Sequence, residues 1–323
     1  KNRLASKPLP SEAPFSSITF NNGVLQNKGI EIELQAHIIK AKSFNWRANF
    51  SFAFNRTKVL QLPDNGRDKN RQGGDIIYDS KSQSLKETGG IAEGERPYAL
   101  YAYNIIGVFA SEEEAKSWNT TKKDNLASPS GITTGKHAGD FIFDDINNDG
   151  VIDSKDQVFM GYRNPDKIGG LQNQFTYKSL SLRFNMDYAL GHIISNGALA
   201  RSLGQGRAFN EGAPEQAIGS DIWKSEGDVN KYYARFSFAD ADFGQRNYLR
   251  QATLGNNNSY ASDVSRMIEK GNFLAFRELT IGYDLPKTIL HKIRAYLPLI
   301  VMNGINYCRA IIMFDLAMLR HSD

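Results

Sequence analysis

Between Asn45 and Asn55 the chain alternates for almost the whole run. Trp46, Ala48, Phe50, Phe52 and Phe54 fall on one side, and Arg47, Asn49, Ser51 and Ala53 on the other. Successive side chains of an extended chain point to opposite faces, so this period-two pattern predicts a β-strand with one apolar and one polar face. The pattern recurs. Ile30, Ile32, Leu34, Ala36 and Ile38 oppose Glu31, Glu33, Gln35 and His37, while Leu180, Leu182, Phe184, Met186, Tyr188 and Leu190 oppose Ser181, Arg183, Asn185 and Asp187. Leu171, Asn173, Phe175 and Tyr177 form a weaker version, as do Leu279, Ile281 and Tyr283. Helical signals are few. Ser111 to Trp118 opens with a serine cap and an acidic first turn, which predicts one short surface helix. The fold class is all-β and antiparallel.

Strand length and loop asymmetry then choose between a soluble sandwich and a membrane barrel. Strands near ten residues exceed the roughly five or six typical of globular sheets and match the ~9–11 tilted residues of a membrane-spanning strand. Ala41-Lys42-Ser43 and Lys178-Ser179 make tight connections, whereas Ala110 to Gly170 and Gly191 to about Arg266 are long polar excursions. Short turns on one side and long loops on the other are the pattern of an outer-membrane barrel. With the turn at Lys42 inside, the strand from Asn45 runs outward and Pro63 to Gly74 is an outer loop. Asp75 to about Leu85 then returns, Gly89 to Glu95 turns inside, and Tyr98 to Phe109 runs out again. Leu171 to Tyr177 comes in, Leu180 to Leu190 goes out, and Phe273 to Leu285 returns to an inner turn at Pro286-Lys287. This reading gives about seven strands with every long loop on one side. A soluble β-sandwich also has strands with one wet face, so a secreted, calcium-stabilised glycan-binding sandwich is the alternative.

One excursion carries a metal-type loop, Asp145 to Asp156. Oxygen side chains at Asp145, Asn147, Asp149, Asp153 and Asp156 occupy loop positions 1, 3, 5, 9 and 12, Gly150 is at position 6, and Val151 offers its carbonyl at position 7. A hard cation such as calcium takes six to eight oxygens, and the glycine allows the sharp turn around it. Asp156 stands where a longer glutamate is usual. The flanks are not helical: Gly139 to Phe143 is short and β-like, and Tyr162-Arg163-Asn164-Pro165 stops any helix. This is a calcium-type loop between strands. The competing reading is an Asx-rich turn whose side chains bond their own backbone.

The remaining composition mainly excludes. A net charge of +4, evenly spread, gives no footprint for nucleic acid. One cysteine, Cys308, and five scattered histidines offer neither a disulfide framework nor a zinc site. No apolar run reaches the ~18 residues of a membrane helix; Ala310 to Leu319 is short and broken by Asp315. No Gly-x-Ser-x-Gly turn frames a serine, Glu112, Glu113 and Glu114 read as a solvated helix start, and Gly204-Gln205-Gly206-Arg207 lacks the context of a phosphate loop. No enzyme is indicated. Trp118, Trp223, Tyr232 and Tyr233 fall in expected outer loops, where they would stack on sugars, pack on a partner, or anchor the loops themselves. The chain opens on Lys1, as a fragment or mature segment would.

These segments resemble a known family. Asn27-Lys28-Gly29-Ile30-Glu31, the run from Phe44 to Leu60, Gly139-Asp140 followed by Asp145 to Asp153, and Phe273 to Lys287 are similar to the SusC/RagA family. The likeness extends from Leu4 to about Lys292. These are TonB-dependent outer-membrane transporters of Bacteroidetes. The resemblance implies that residues 1–294 are part of the C-terminal portion of a barrel of about 22 strands with a plugged lumen. A plug domain and a TonB-binding region would precede Lys1. A SusD-like surface lipoprotein as lid, outer-membrane lipid, and oligosaccharide or peptide cargo are the implied partners. Residues 295–323 depart from the family pattern and read as an atypical, frameshifted or truncated tail.

Overall fold

The computed structural model describes residues 2–8, 17–126, 135–204, 219–235, 264–286, 309–315 and 319–320. The alternating segments form strands of one sheet, in the order Asn2–Pro8, Ser17–Lys40, Phe44–Gln61, Lys167–Tyr177, Leu180–Leu190, Phe273–Asp284 and Arg309–Asp315. Leu319–Arg320 also pairs with Phe273–Asp284. Pairing is antiparallel: Phe44 lies opposite Tyr177, Phe54 opposite Lys167, Leu180 opposite Tyr283, and Ala189 opposite Phe273. Tight connections sit at one end of these strands. Ala41 donates its N–H to the Phe44 carbonyl at 2.9 Å, and Lys178 takes a positive φ of 52° in the Lys178-Ser179 turn. Both long connections, after Gln61 and after Leu190, leave from the other end.

The two expected faces are present. On the apolar face, rings stack across four strands: Trp46 on Phe175 at 5.4 Å, Phe175 on Phe184 at 6.1 Å, and Phe184 on Phe276 at 5.7 Å. Asn173 is the polar exception. It is buried, and its Oδ1 accepts the Trp46 indole N–H at 2.8 Å, so burial leaves that acceptor satisfied. The opposite face carries Arg183 bonded to Glu278 at 2.7 Å and Arg277 bonded to Asp187 at 2.6 Å. A β-bulge between Asn185 and Met186 reconciles the faces. Phe276 and Leu279 are three residues apart, so a regular strand would place them on opposite sides. The extra residue, Arg277, resets the phase and keeps both rows apolar.

Two expected wall strands are corrected. Asp75 to Leu85 is not a returning strand but part of a hairpin, Asp75–Asp79 with Ser84–Thr88, outside the large sheet. Tyr98 to Phe109 splits into Ala99–Tyr103, paired with Gln157–Tyr162, and Ile105–Val108, paired with Phe141–Phe143. The turn expected at Gly89 to Glu95 therefore belongs to the excursion as well. In the sheet, the strand next to Phe44–Gln61 is Lys167–Tyr177. The physical reason is that a short β-rich run has the same local pattern in a hairpin as in a wall, and only its non-local partner decides. Further on, Arg309–Asp315, a β-branched run for which no strand was expected, pairs with Phe273–Asp284.

The chain divides into two compact units: residues 27–56, 165–192 and 271–323 form one, and residues 1–26, 57–164 and 193–270 the other. The second unit has a hydrophobic core of its own, in which Phe141, Phe143, Ile152, Val264 and Met267 are almost fully buried. Glu112–Thr121 is its expected helix; the Ser111 hydroxyl accepts the Glu114 N–H at 3.2 Å as an N-cap. Gly139, at φ +84°, is required by close approach: a Cβ there would lie 2.7 Å from the Trp223 ring. Arg71 is wholly buried in this unit and held by Glu95 at 2.9 Å and the Gly89 carbonyl at 2.5 Å.

Candidate functional site

The Asp145 to Asp156 loop folds on its own side chains. Asp145 Oδ2 accepts the Gly150 N–H at 3.1 Å, Asn147 Oδ1 accepts the Asp149 N–H at 3.1 Å, and Asp149 Oδ1 accepts the Val151 N–H at 2.8 Å. Asn148 and Gly150 both have positive φ, 56° and 79°, which curls the backbone. Asp153 caps the one-turn helix Ser154–Asp156, and Asp156 closes the loop by accepting the Ile146 N–H at 2.9 Å and the Asp153 N–H at 2.8 Å. Burial pushes the Asp156 carboxyl above its usual range, against the lowering effect of those amides. Asp149 is the reverse case: some desolvation opposes its ionisation, but the Val151 N–H, Asn147 and Lys155 outweigh it and hold the carboxyl low.

The loop is an Asx-rich turn closed by its own side chains, and the side-chain acceptors it presents are all oxygens. Asp145 Oδ1 is buried with no hydrogen-bond partner. Two ammonium groups sit against the carboxylates, Lys122 on Asp145 at 2.9 Å and Lys155 on Asp153 at 2.8 Å. Among the described residues no three carboxylate, imidazole or thiol groups converge as a metal cluster. Asp145 Oδ2 already accepts two hydrogen bonds, from the Gly150 N–H and the Lys122 ammonium, whereas most of the other loop oxygens accept one and keep a lone pair to offer a cation.

The loop aromatics separate. Trp223 is buried and donates its indole N–H to the Ala110 carbonyl at 3.2 Å. Trp118 packs edge-on against Phe109 at 5.8 Å, and Tyr233 packs on the same core. These three anchor the excursion. Tyr232 alone is exposed, with the Arg266 guanidinium 3.9 Å above its ring. Of the weak phosphate-loop residues, Gln205, Gly206 and Arg207 lie outside the described residues.

Some well-built features escaped sequence reasoning. Lys136 is buried on Asp124 at 2.5 Å. Tyr103 accepts the Gln157 amide at 3.1 Å, and burial raises its hydroxyl to about 12. Neither pair has a sequence signal, because only the fold brings its partners together; Tyr103 and Gln157 meet through the pairing of two strands. A third feature lies on the polar face of the sheet. Gln35, His37, Arg47, Asn49, Gln172 and Gln174 line a depression of about 400 Å³.

No family model matches the chain. It is similar to curated TonB-dependent receptors: P39 of Formosa agariphila, 24% identical across 90% of this chain and 27% of the receptor, and P3 of the same organism, 25% identical across 90% and 24%. SusC of Bacteroides thetaiotaomicron is 23% identical across 59% of this chain and 16% of SusC. In fold, the chain is similar to the RagAB peptide transporter, with a TM-score of 0.55, 16% identity and coverage of 97% of this chain and 28% of the other. A closed-closed state of the RagAB importer gives 0.56 at 17% identity, over 98% and 28%. The chain spans about a quarter of the length of the first two curated relatives.

Proposed function

We propose that this chain, a SusC/RagA-like segment of a TonB-dependent receptor β-barrel, forms part of the wall and outer loops of an outer-membrane nutrient importer. One observation carries the reading. Strands long enough to cross a bilayer present a ring-lined apolar face on one side and charged residues on the other, with both long connections at one end. A lipid-facing and lumen-facing wall requires that division, since lipid can solvate only the apolar face. The importer performs no chemical step; it selects cargo and moves it, with energy delivered through TonB and a SusD-like lipoprotein as lid. Oligosaccharide or peptide is the cargo class. The test is fractionation of the protein carrying this chain, followed by electrophoresis in detergent with and without boiling. Recovery with outer membranes and a heat-dependent shift support the reading; a soluble, heat-insensitive protein supports the secreted sandwich instead.

The excursion's loop would hold a calcium ion through Asp145, Asn147, Asp149, Asp153 and Asp156 with the Val151 carbonyl, which supplies structural order rather than chemistry. The buried, unpartnered Asp145 Oδ1 favours this over a purely self-bonded turn. Titration calorimetry should show calcium binding that Asp149→Ala weakens most among single changes and Lys122→Ala strengthens, because removing the ammonium frees Asp145. Absence of calcium heat with the folded protein would sink the assignment.

A further inference from the structure

The polar depression differs in charge from the rest of its face. Three arginines of this face can be compared. Arg183 is committed to Glu278 at 2.7 Å, and Arg277 to Asp187 at 2.6 Å. Arg47 is exposed and has no ion-pair partner among the described residues. The depression around it, lined by Gln35, His37, Asn49, Gln172 and Gln174, contains no carboxylate. It is therefore a guanidinium surrounded by primary amides and an imidazole.

That chemistry is selective. A guanidinium presents a planar fork of donors that matches a carboxylate with two parallel bonds, and such charge-assisted bonds are the stronger kind. A primary amide has both a donor pair and an acceptor, the complement of a peptide group. Flat aromatic faces, on which sugar rings would stack, are missing from the lining; Trp46, Phe175 and Phe184 stack on the opposite face. Asn49 Oδ1 is buried and has no donor among the described residues. On the reading that this face borders the import lumen, we propose that Arg47 and the amides of Asn49, Gln172 and Gln174 form a wall subsite for the carboxylate end of an oligopeptide.

The test uses the full-length protein in detergent and three probes: hexaglycine, hexaglycine with a carboxamide end, and trigalacturonate. Hexaglycine should bind about tenfold more tightly than its carboxamide, the size of one charge-assisted hydrogen bond. Arg47→Gln should erase that preference, whereas Arg183→Gln, whose cation is already paired, should leave it in place. Persistence of the preference in Arg47→Gln overturns the proposal. So does an Arg47-dependent binding of trigalacturonate that exceeds the peptide, which would make the subsite one for acidic glycan. Heat-dependent migration of each variant separates a lost site from a lost fold. A wild-type protein that migrates as a barrel but shows no carboxylate preference refutes the subsite alone; a protein that is no barrel refutes the importer reading itself.

Discussion

The wall strands and the excursion after Gln61 are both built from β-structure, yet they bury opposite things. In the excursion Phe141 and Phe143 are 1% exposed and Ile152 is fully buried, as in any water-soluble domain. In the wall, Ile30 is 61% exposed, Leu34 59% and Phe50 36%, and none of the excursion's core cluster comes from it. A sheet in water must cover its apolar face with another layer. A sheet in a bilayer need not, because the lipid covers that face, while every backbone polar group must be paired within the sheet. The difference is one of solvent, and it is written in which face of each strand is left open.

Mutations that act on one solvent and not the other test the contrast. The largest effect is expected from Phe143→Ala in the excursion, about 3–5 kcal/mol for an aromatic lost from a packed core. Limited proteolysis should show the excursion cleaved while heat-dependent migration of the wall persists. If both fail together, the two units do not have separate sources of stability. Next, Phe50→Arg on the apolar face should cost ~2–4 kcal/mol near mid-membrane, and Asn49→Arg, one residue away on the polar face, much less. Urea titration of folding into lipid vesicles would measure both; equal costs would mean that the faces are misassigned.

Smaller effects sharpen the excursion side. Ser111→Ala removes the N-cap of Glu112–Thr121 and should cost ~1 kcal/mol, read as a modest rise in proteolysis around that helix. Acid should act more gently still. Burial works against the charge of Glu95, but bonds from Arg71 and Lys69 prevail and hold its carboxyl below the usual range. A carboxyl lowered on folding stabilises the protein above its unfolded pKa of ~4.3, and that contribution disappears as pH falls through the lower folded value. Protease resistance of the excursion should therefore decline below about pH 4.3, and Glu95→Gln should remove part of that dependence. A third of the Glu95 side chain remains exposed, so water screens the effect.

Much of the wall was legible in the sequence for a physical reason. Alternation is a local property, so Leu180–Leu190 could be read with its observed bounds, and the phase slip between Phe276 and Leu279 already encodes the bulge at Arg277. Ser111 announced its helix in the same way. Partnership is non-local. Nothing in Asp75 to Leu85 distinguishes a wall strand from a hairpin, because the same residues satisfy both until a neighbour is chosen. The candidate sites divide likewise. The oxygen spacing from Asp145 to Asp156 is local and could be read, whereas the roles of Trp223 as a buried anchor and Tyr232 as an exposed ring depend on packing.

The sequence by itself determined the period of the strands, their apolar and polar faces, and the curl of one oxygen-rich loop, since each follows from the spacing of adjacent residues. Only the tertiary structure decided which strands share the sheet, which tyrosine meets solvent, and which arginines pair with a carboxylate among the described residues. Arg47 and Arg183 look alike in an alternating strand. Strand register places Arg183 on Glu278, 95 residues away, and leaves Arg47 among amides.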